Sequence, residues 1–204
     1  MGFLDDLKRQ AEAVKAEQTV DVAALERNTL LAESACKTVF TYFDTLLRQL
    51  EVLKPVSKVR YVLDRRTSFD QLPLTGMKVD ARRKKLRGND VYDHIALHAR
   101  LRNGQKLALV KDFLPDIEQI ESRIRQSGAP VHSQAVRNPD NGKLQEMRYE
   151  LAVDFVLGVH VTPEHDRGRL HFKFVNFDGF ETVTAEFSAL EVGSTRLDEL
   201  ARWL

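Results

Sequence analysis

One cysteine, one tryptophan and six prolines in 204 residues leave few ways to staple or lock this chain. A single thiol, Cys36, rules out an internal disulfide and any cysteine-based zinc cluster. With no apolar leader core at the N-terminus, it points to a reducing, cytoplasmic setting. No apolar run approaches the roughly 18–20 residues that a bilayer span requires, so no transmembrane segment is expected and any membrane contact would be peripheral. Motifs are missing too. There is no Gly-x-Ser-x-Gly elbow, no phosphate-cradling glycine loop and no His-Glu-x-x-His pair, so no catalytic residue and no cofactor is indicated.

Charge of one sign is missing only in the total. The net +1 hides 7 basic and 9 acidic side chains over residues 1–55, 14 and 5 over 56–111, and 10 and 16 over 112–204. A basic middle beside an acidic C-terminal part suits either a polyanion ligand or mutual neutralisation within one sheet. The 43% hydrophobic content is enough for a real core and excludes a disordered chain.

What the chain does have is a change of hydrophobic period near Pro55. Before it, Val22, Leu25, Ala32, Ala35, Cys36, Val39, Phe40, Phe43, Leu46, Leu47, Leu50 and Leu53 fall within a sector of about 140° of one helix. Asp21 reads as its N-cap and Pro55 as its stop. A shorter helix is expected ahead of it, with Phe3, Leu4, Leu7, Ala11 and Val14 on one side, so that 1–54 forms a helical hairpin or long helix. Residues 55–204 then read as an antiparallel sheet domain, forming one unit with the helices. The fold class is α+β: a meandering sheet of about seven or eight strands, a helix inserted at about 114–128 and a short helix from about Ser194 that offers Leu197, Leu200, Ala201 and Leu204 to the core.

Within that sheet, Asn103-Gly104 reads as a two-residue hairpin loop between Ile95–Leu101 and Leu107–Leu109. Residues 65–76 form the one long irregular stretch. Met147 to Val161 alternate without error and form one long strand. Pairing residues whose numbers sum to 331 across the next turn, and to 357 across the turn at Asp178-Gly179, brings the apolar residues of three strands to one face.

Several side chains then come up as candidate sites. His94 and His98 would share a helix face, but four residues along a strand span roughly 13 Å, which rules out a shared ion. The 331 register sets His160 opposite His171 and the 357 register sets His171 opposite Glu186, the composition of a His/His/carboxylate metal site. His165 and Asp166 belong to turn chemistry. Arg82, Arg83, Lys84, Lys85 and Arg87, in a basic strand over 78–87, read either as a solvated sheet edge or as a polyanion site for nucleic acid or anionic lipid, without the aromatic ladder that base stacking needs. Cys36 lies mid-stripe and reads as core. The opening Met1 to Leu7 invites a membrane-surface reading that Asp5 and Asp6 oppose.

Three functions follow as expectations. The first is a non-catalytic cytoplasmic interaction or scaffold module that self-associates as a homo-oligomer or docks a protein partner through its N-terminal helices, with Phe40, Phe43, Leu47 and Leu50 as the interface. The second is a polyanion-binding protein using Arg82 to Arg87. The third is a metal-dependent enzyme at His160, His171 and Glu186.

Overall fold

The computed structural model describes residues 3–202, and within its first helix the side chains of 4–12 and of 21 onward. The expectations for Met1, Gly2 and Leu204, and for the side chains of Phe3 and Val14, lie outside the described residues.

The element order is α1 (Phe3–Leu53), β1 (Tyr61–Val62), β2 (Ser68–Phe69), β3 (Leu74–Leu86), β4 (Asn89–Lys111), α2 (Leu114–Ser127), β5 (Val131–Arg137), β6 (Leu144–Glu164), β7 (Arg169–Val175), β8 (Thr182–Ser188) and α3 (Ser194–Ala201). The α+β class holds: six antiparallel strands form the main sheet, and β1 and β2 pair separately. The order is β3-β4-β6-β7-β8. The long β6 organises it. One edge of β6 carries β4; the other is divided between β5, beside Leu144–Leu151, and β7, beside Gly158–Glu164.

Alternation decides what lies on each face. Ile95, Leu97, Ala99 and Leu101 of β4, Val153 to Val161 of β6 and Leu170, Phe172 and Phe174 of β7 are buried in one core cluster. Ala35, Cys36, Val39, Phe43 and Leu47 of α1 join the same cluster, with Ile120 and Ile124 of α2 and Leu197 of α3. The helices therefore form one layer on one face, and the other face of the sheet is left open. Pro115 opens α2, where its missing N–H costs nothing, and Gly128 closes it at φ +63°.

Four expectations are corrected. The helix does not start at Asp21: α1 runs unbroken from Phe3 to Leu53, because neither glycine nor proline interrupts 3–53 and a capping side chain alone does not stop a helix. Asn103-Gly104 is not a hairpin loop. It is a bulge within the continuous β4, with Gly104 at φ +78° and Asn103 Oδ1 accepting from Gln105 N–H at 3.0 Å, since the same left-handed geometry serves both devices. The stretch 65–76 is not wholly irregular, for β2 and the start of β3 lie in it.

The fourth correction concerns register. Across the second turn it stands as expected, with Leu170 opposite Phe187 and His171 opposite Glu186. Across the first, the numbers sum to 333: Val161 faces Phe172, Val159 faces Phe174, and His160 faces Lys173 instead of His171. A shift of two residues keeps every side chain on its face, so alternation cannot distinguish the two registers.

Candidate functional site

The open sheet face collects five of the six histidines. His94 and His98 come from β4, His160 from β6 and His171 from β7, because these four stand out of phase with the buried residues of their strands, and His132 of β5 joins them because it stands opposite Glu150 of β6, between buried Tyr149 and Leu151. Around them lie Lys78, Asp80 and Arg82 of β3, Lys173 of β7 and Glu186 of β8.

The closest pair is one the sequence did not suggest. His98 lies opposite Gly158, and His160 is its diagonal neighbour. Their rings meet edge to face with centroids 5.3 Å apart. Gly158 has no side chain to separate them, and a Cβ there would lie 3.8 Å from His160 Nε2 and 3.9 Å from His98 Nδ1. On its other side His98 Nε2 stands 3.5 Å from Asp80 Oδ2. Burial, then the neighbouring His98, Lys173 and His94, push the His160 imidazole below its ordinary pKa, against the opposing pull of Asp80. His160 is therefore neutral at pH 7.

His171 belongs to a different group. Its Nε2 is 3.2 Å from Glu164 Oε2 and its Nδ1 is 3.3 Å from Glu186 Oε2, while Arg169 also pairs with Glu186. That arginine holds the Glu186 carboxyl below the usual range. The register sets His160 opposite Lys173 and makes it a diagonal neighbour of His171; His160, His171 and Glu186 line one open hollow of the sheet face, and among the described residues no set of three or more His, Cys, Asp or Glu side chains is placed to hold a metal ion. His165 sits in the tight turn after β6, buried, with its Nε2 2.8 Å from Tyr92 O.

The basic run of β3 lies on the outer edge strand of the sheet, and most of it is paired inside the molecule. Arg83 reaches Glu33 of α1 at 3.1 Å and Asp90 at 2.8 Å, with its guanidinium over the Tyr92 ring. Lys84 reaches Asp93 at 3.0 Å, and Arg87 bonds Asp166 at 2.6 Å and Thr29 at 2.7 Å. A bulge at Asp93 turns Tyr92 toward the helix side. The charge run therefore fastens α1 and the β6–β7 turn to the sheet. Lys85, with three quarters of its side chain exposed, keeps only a 3.8 Å contact to Asp90.

The proposed helix interface is covered. Phe43 and Leu47 are buried, and Phe40 and Leu50 are half-buried, all packed against this chain's own core. Cys36 is fully buried, and burial pushes its thiol up to about 12, so it is packing material and no nucleophile.

One buried charge on the open face yields a pH prediction. Asp154 receives Arg100 Nε at 2.6 Å and Arg102 Nη2 at 2.5 Å, and these bonds, Arg100 first, hold its carboxyl below the usual range. A carboxyl with a lowered folded-state pKa contributes stability that is fully present above its unfolded value of about 3.9 and lost as pH falls through the folded value. Asp154→Asn should cost about 1–2 kcal/mol at pH 7, allowing for solvent screening of the arginines. Urea denaturation at pH 7 and pH 3 should show the gap to wild type narrowing at the lower pH; a gap that widens on acidification contradicts the assignment.

Comparison with family models, curated proteins and solved structures finds no match to this chain. Among the described residues no helix is long and apolar enough to cross a membrane.

Proposed function

We propose that this chain is a non-catalytic interaction module that associates through the N-terminal arm of α1, with a second copy of the chain as the occupant. The observation that supports this reading is the reach of the helix. At 1.5 Å per residue, its 51 residues extend about 76 Å. Among the described side chains of α1, burial begins at Ala24 and Leu25, and Asn28 Nδ2 ties the helix to the body by donating to Asp166 O at 2.8 Å. Ahead of that point residues 4–12 and 21–23 are exposed, including Leu4 and Leu7.

Most of a helix's stability in a protein comes from packing its apolar face, and leaving apolar side chains along the arm uncovered gains nothing. Leu4, Leu7 and Ala11 follow the three–four spacing of a two-helix seam. The described arm carries both signs of charge, Asp6 and Arg9 pairing at 3.2 Å, so two copies do not repel one another. Asp5 and Asp6 disfavour an anionic lipid surface. We therefore assign the docking role to the arm and not to Phe40, Phe43, Leu47 and Leu50, which pack against this chain's own core.

Sedimentation velocity of the full chain over a wide concentration range tests this. The wild type should show a monomer–dimer equilibrium that Leu4→Glu/Leu7→Glu abolishes, with the melting temperature of the body changed by no more than about 2 °C because the arm lies outside the core. A wild type that stays monomeric throughout, or a double variant that dimerises equally well, overturns the reading. The polyanion alternative, with Arg82 and Lys85 as its remaining accessible charges, has less support once Arg83, Lys84 and Arg87 are paired internally.

A further inference from the structure

We propose that His98 and His160 form a binding site for a single late divalent transition-metal ion, such as Zn²⁺, Ni²⁺ or Cu²⁺, above the backbone of Gly158. The site differs from the His160, His171 and Glu186 set that alternation suggests, and it does not depend on the arm.

Convergence of the nitrogens comes first. His160 Nε2 and His98 Nδ1 lie 3.8 and 3.9 Å from the same point over Gly158, the point a Cβ would occupy. An ion bound by imidazole stands about 2.0–2.1 Å from each nitrogen. Both rings must turn toward that point to come within range, and no side chain on Gly158 obstructs them. Ring centroids 5.3 Å apart leave only a short distance to close.

Orientation comes second. A metal-binding imidazole usually gives its other N–H to a carboxylate, which fixes the tautomer and turns the bare nitrogen to the metal. Asp80 Oδ2 stands 3.5 Å from His98 Nε2, while Nδ1 is the nitrogen nearest the space over Gly158; a proton held on Nε2 leaves Nδ1 bare for the ion.

The chemistry of two imidazoles selects the ion. Nitrogen donors suit Cu²⁺, Ni²⁺ and Zn²⁺ over Mg²⁺ and Ca²⁺, which take oxygen ligands, and Cu²⁺ stands highest in that series. With no third His, Cys, Asp or Glu placed among the described residues to complete a set, the remaining coordination positions fall to water or to a donor that the ion brings with it. The site is therefore open and exchangeable, unlike a closed structural zinc centre.

The test uses the full chain without a histidine tag, titrated calorimetrically with Zn²⁺, with the nitrogen hyperfine pattern of bound Cu²⁺ read by electron paramagnetic resonance. Wild type should take one equivalent and show two imidazole nitrogens. His98→Gln and His160→Gln should each weaken Zn²⁺ binding at least tenfold and leave one nitrogen. His171→Gln, which alters the Glu164–Glu186 group instead, should titrate like wild type. No binding by wild type, unaltered binding by His98→Gln or His160→Gln, or binding lost only with His171→Gln would each overturn the site.

Discussion

Phe155→Ala should destabilise the protein by about 4 kcal/mol, the upper range for removing a buried aromatic ring. Phe155 is fully buried on β6, opposite Leu101 of β4. Its ring lies 4.8 Å from Phe180 and 5.4 Å from Phe69, both edge to face, and 6.1 Å from Tyr61. Tyr61 and Phe69 are themselves partners across the small β1–β2 pair. The ring thus joins three elements that touch at few other points: the small sheet, the main sheet and the loop before β8. Truncation removes the ring's own burial and leaves a cavity whose walls belong to separate segments. Phe155→Leu, which keeps most of the volume, should cost only about 1–1.5 kcal/mol. Equilibrium urea unfolding measures both. A loss below about 1.5 kcal/mol for the alanine variant would mean that the small sheet collapses into the space and is not held by the ring.

That same cluster shows which parts of the fold sequence alone can reveal. Phe155 was legible as a core residue because β6 alternates from Met147 to Val161, and Ile117, Ile120 and Ile124 were legible as the buried side of α2 because their spacing is helical. Tyr61 and Phe69 belong to two-residue strands, too short for any period to appear. The candidate metal pair was lost for a related reason. Its geometry depends on which residue of β4 stands opposite Gly158, and once Asn103-Gly104 is taken for a hairpin loop, β4 pairs with its own continuation instead of with β6. A signal was available in Gly158 itself, the one position without a side chain in the β6 alternation, between Leu157 and Val159. A glycine in a strand marks a place where something else approaches the backbone. For α1 the apolar stripe was correct, but a stripe cannot say whether it is covered by its own sheet or by another chain. Only the tertiary arrangement showed that Phe43 and Leu47 face inward while Leu4 and Leu7 do not.

Substitutions at Asn176 should rank glycine, alanine and aspartate in order of increasing damage at pH 7, with losses of about 2, 3 and more than 3 kcal/mol. The position exists because β5 and β7 share one edge of β6 without meeting: β5 ends its pairing at Leu151, β7 begins at Gly158, and the carbonyl of Val156 falls between. Asn176, fully buried just after β7, supplies what both strands omit. Its Nδ2 donates to Val156 O at 2.7 Å and to Gln126 O, near the end of α2, at 2.9 Å. Its own carbonyl accepts the Tyr61 hydroxyl at 2.8 Å. To aim the amide there the backbone takes φ +62°, which asparagine tolerates better than most residues. Glycine keeps the backbone geometry and loses the two donors, alanine loses both donors and strains the backbone, and aspartate sets an acceptor against two carbonyls. The aspartate variant carries its own control, because a buried carboxyl has a raised pKa and its protonated form can donate one of the missing bonds. Its deficit relative to wild type should therefore shrink as pH falls through that raised value, whereas the alanine deficit should not change with it. Urea titrations of the three variants at pH 7 and pH 5 decide the matter. Equal losses for glycine and alanine would remove the backbone argument, and an alanine loss below about 1 kcal/mol would mean that water replaces the amide between the strands.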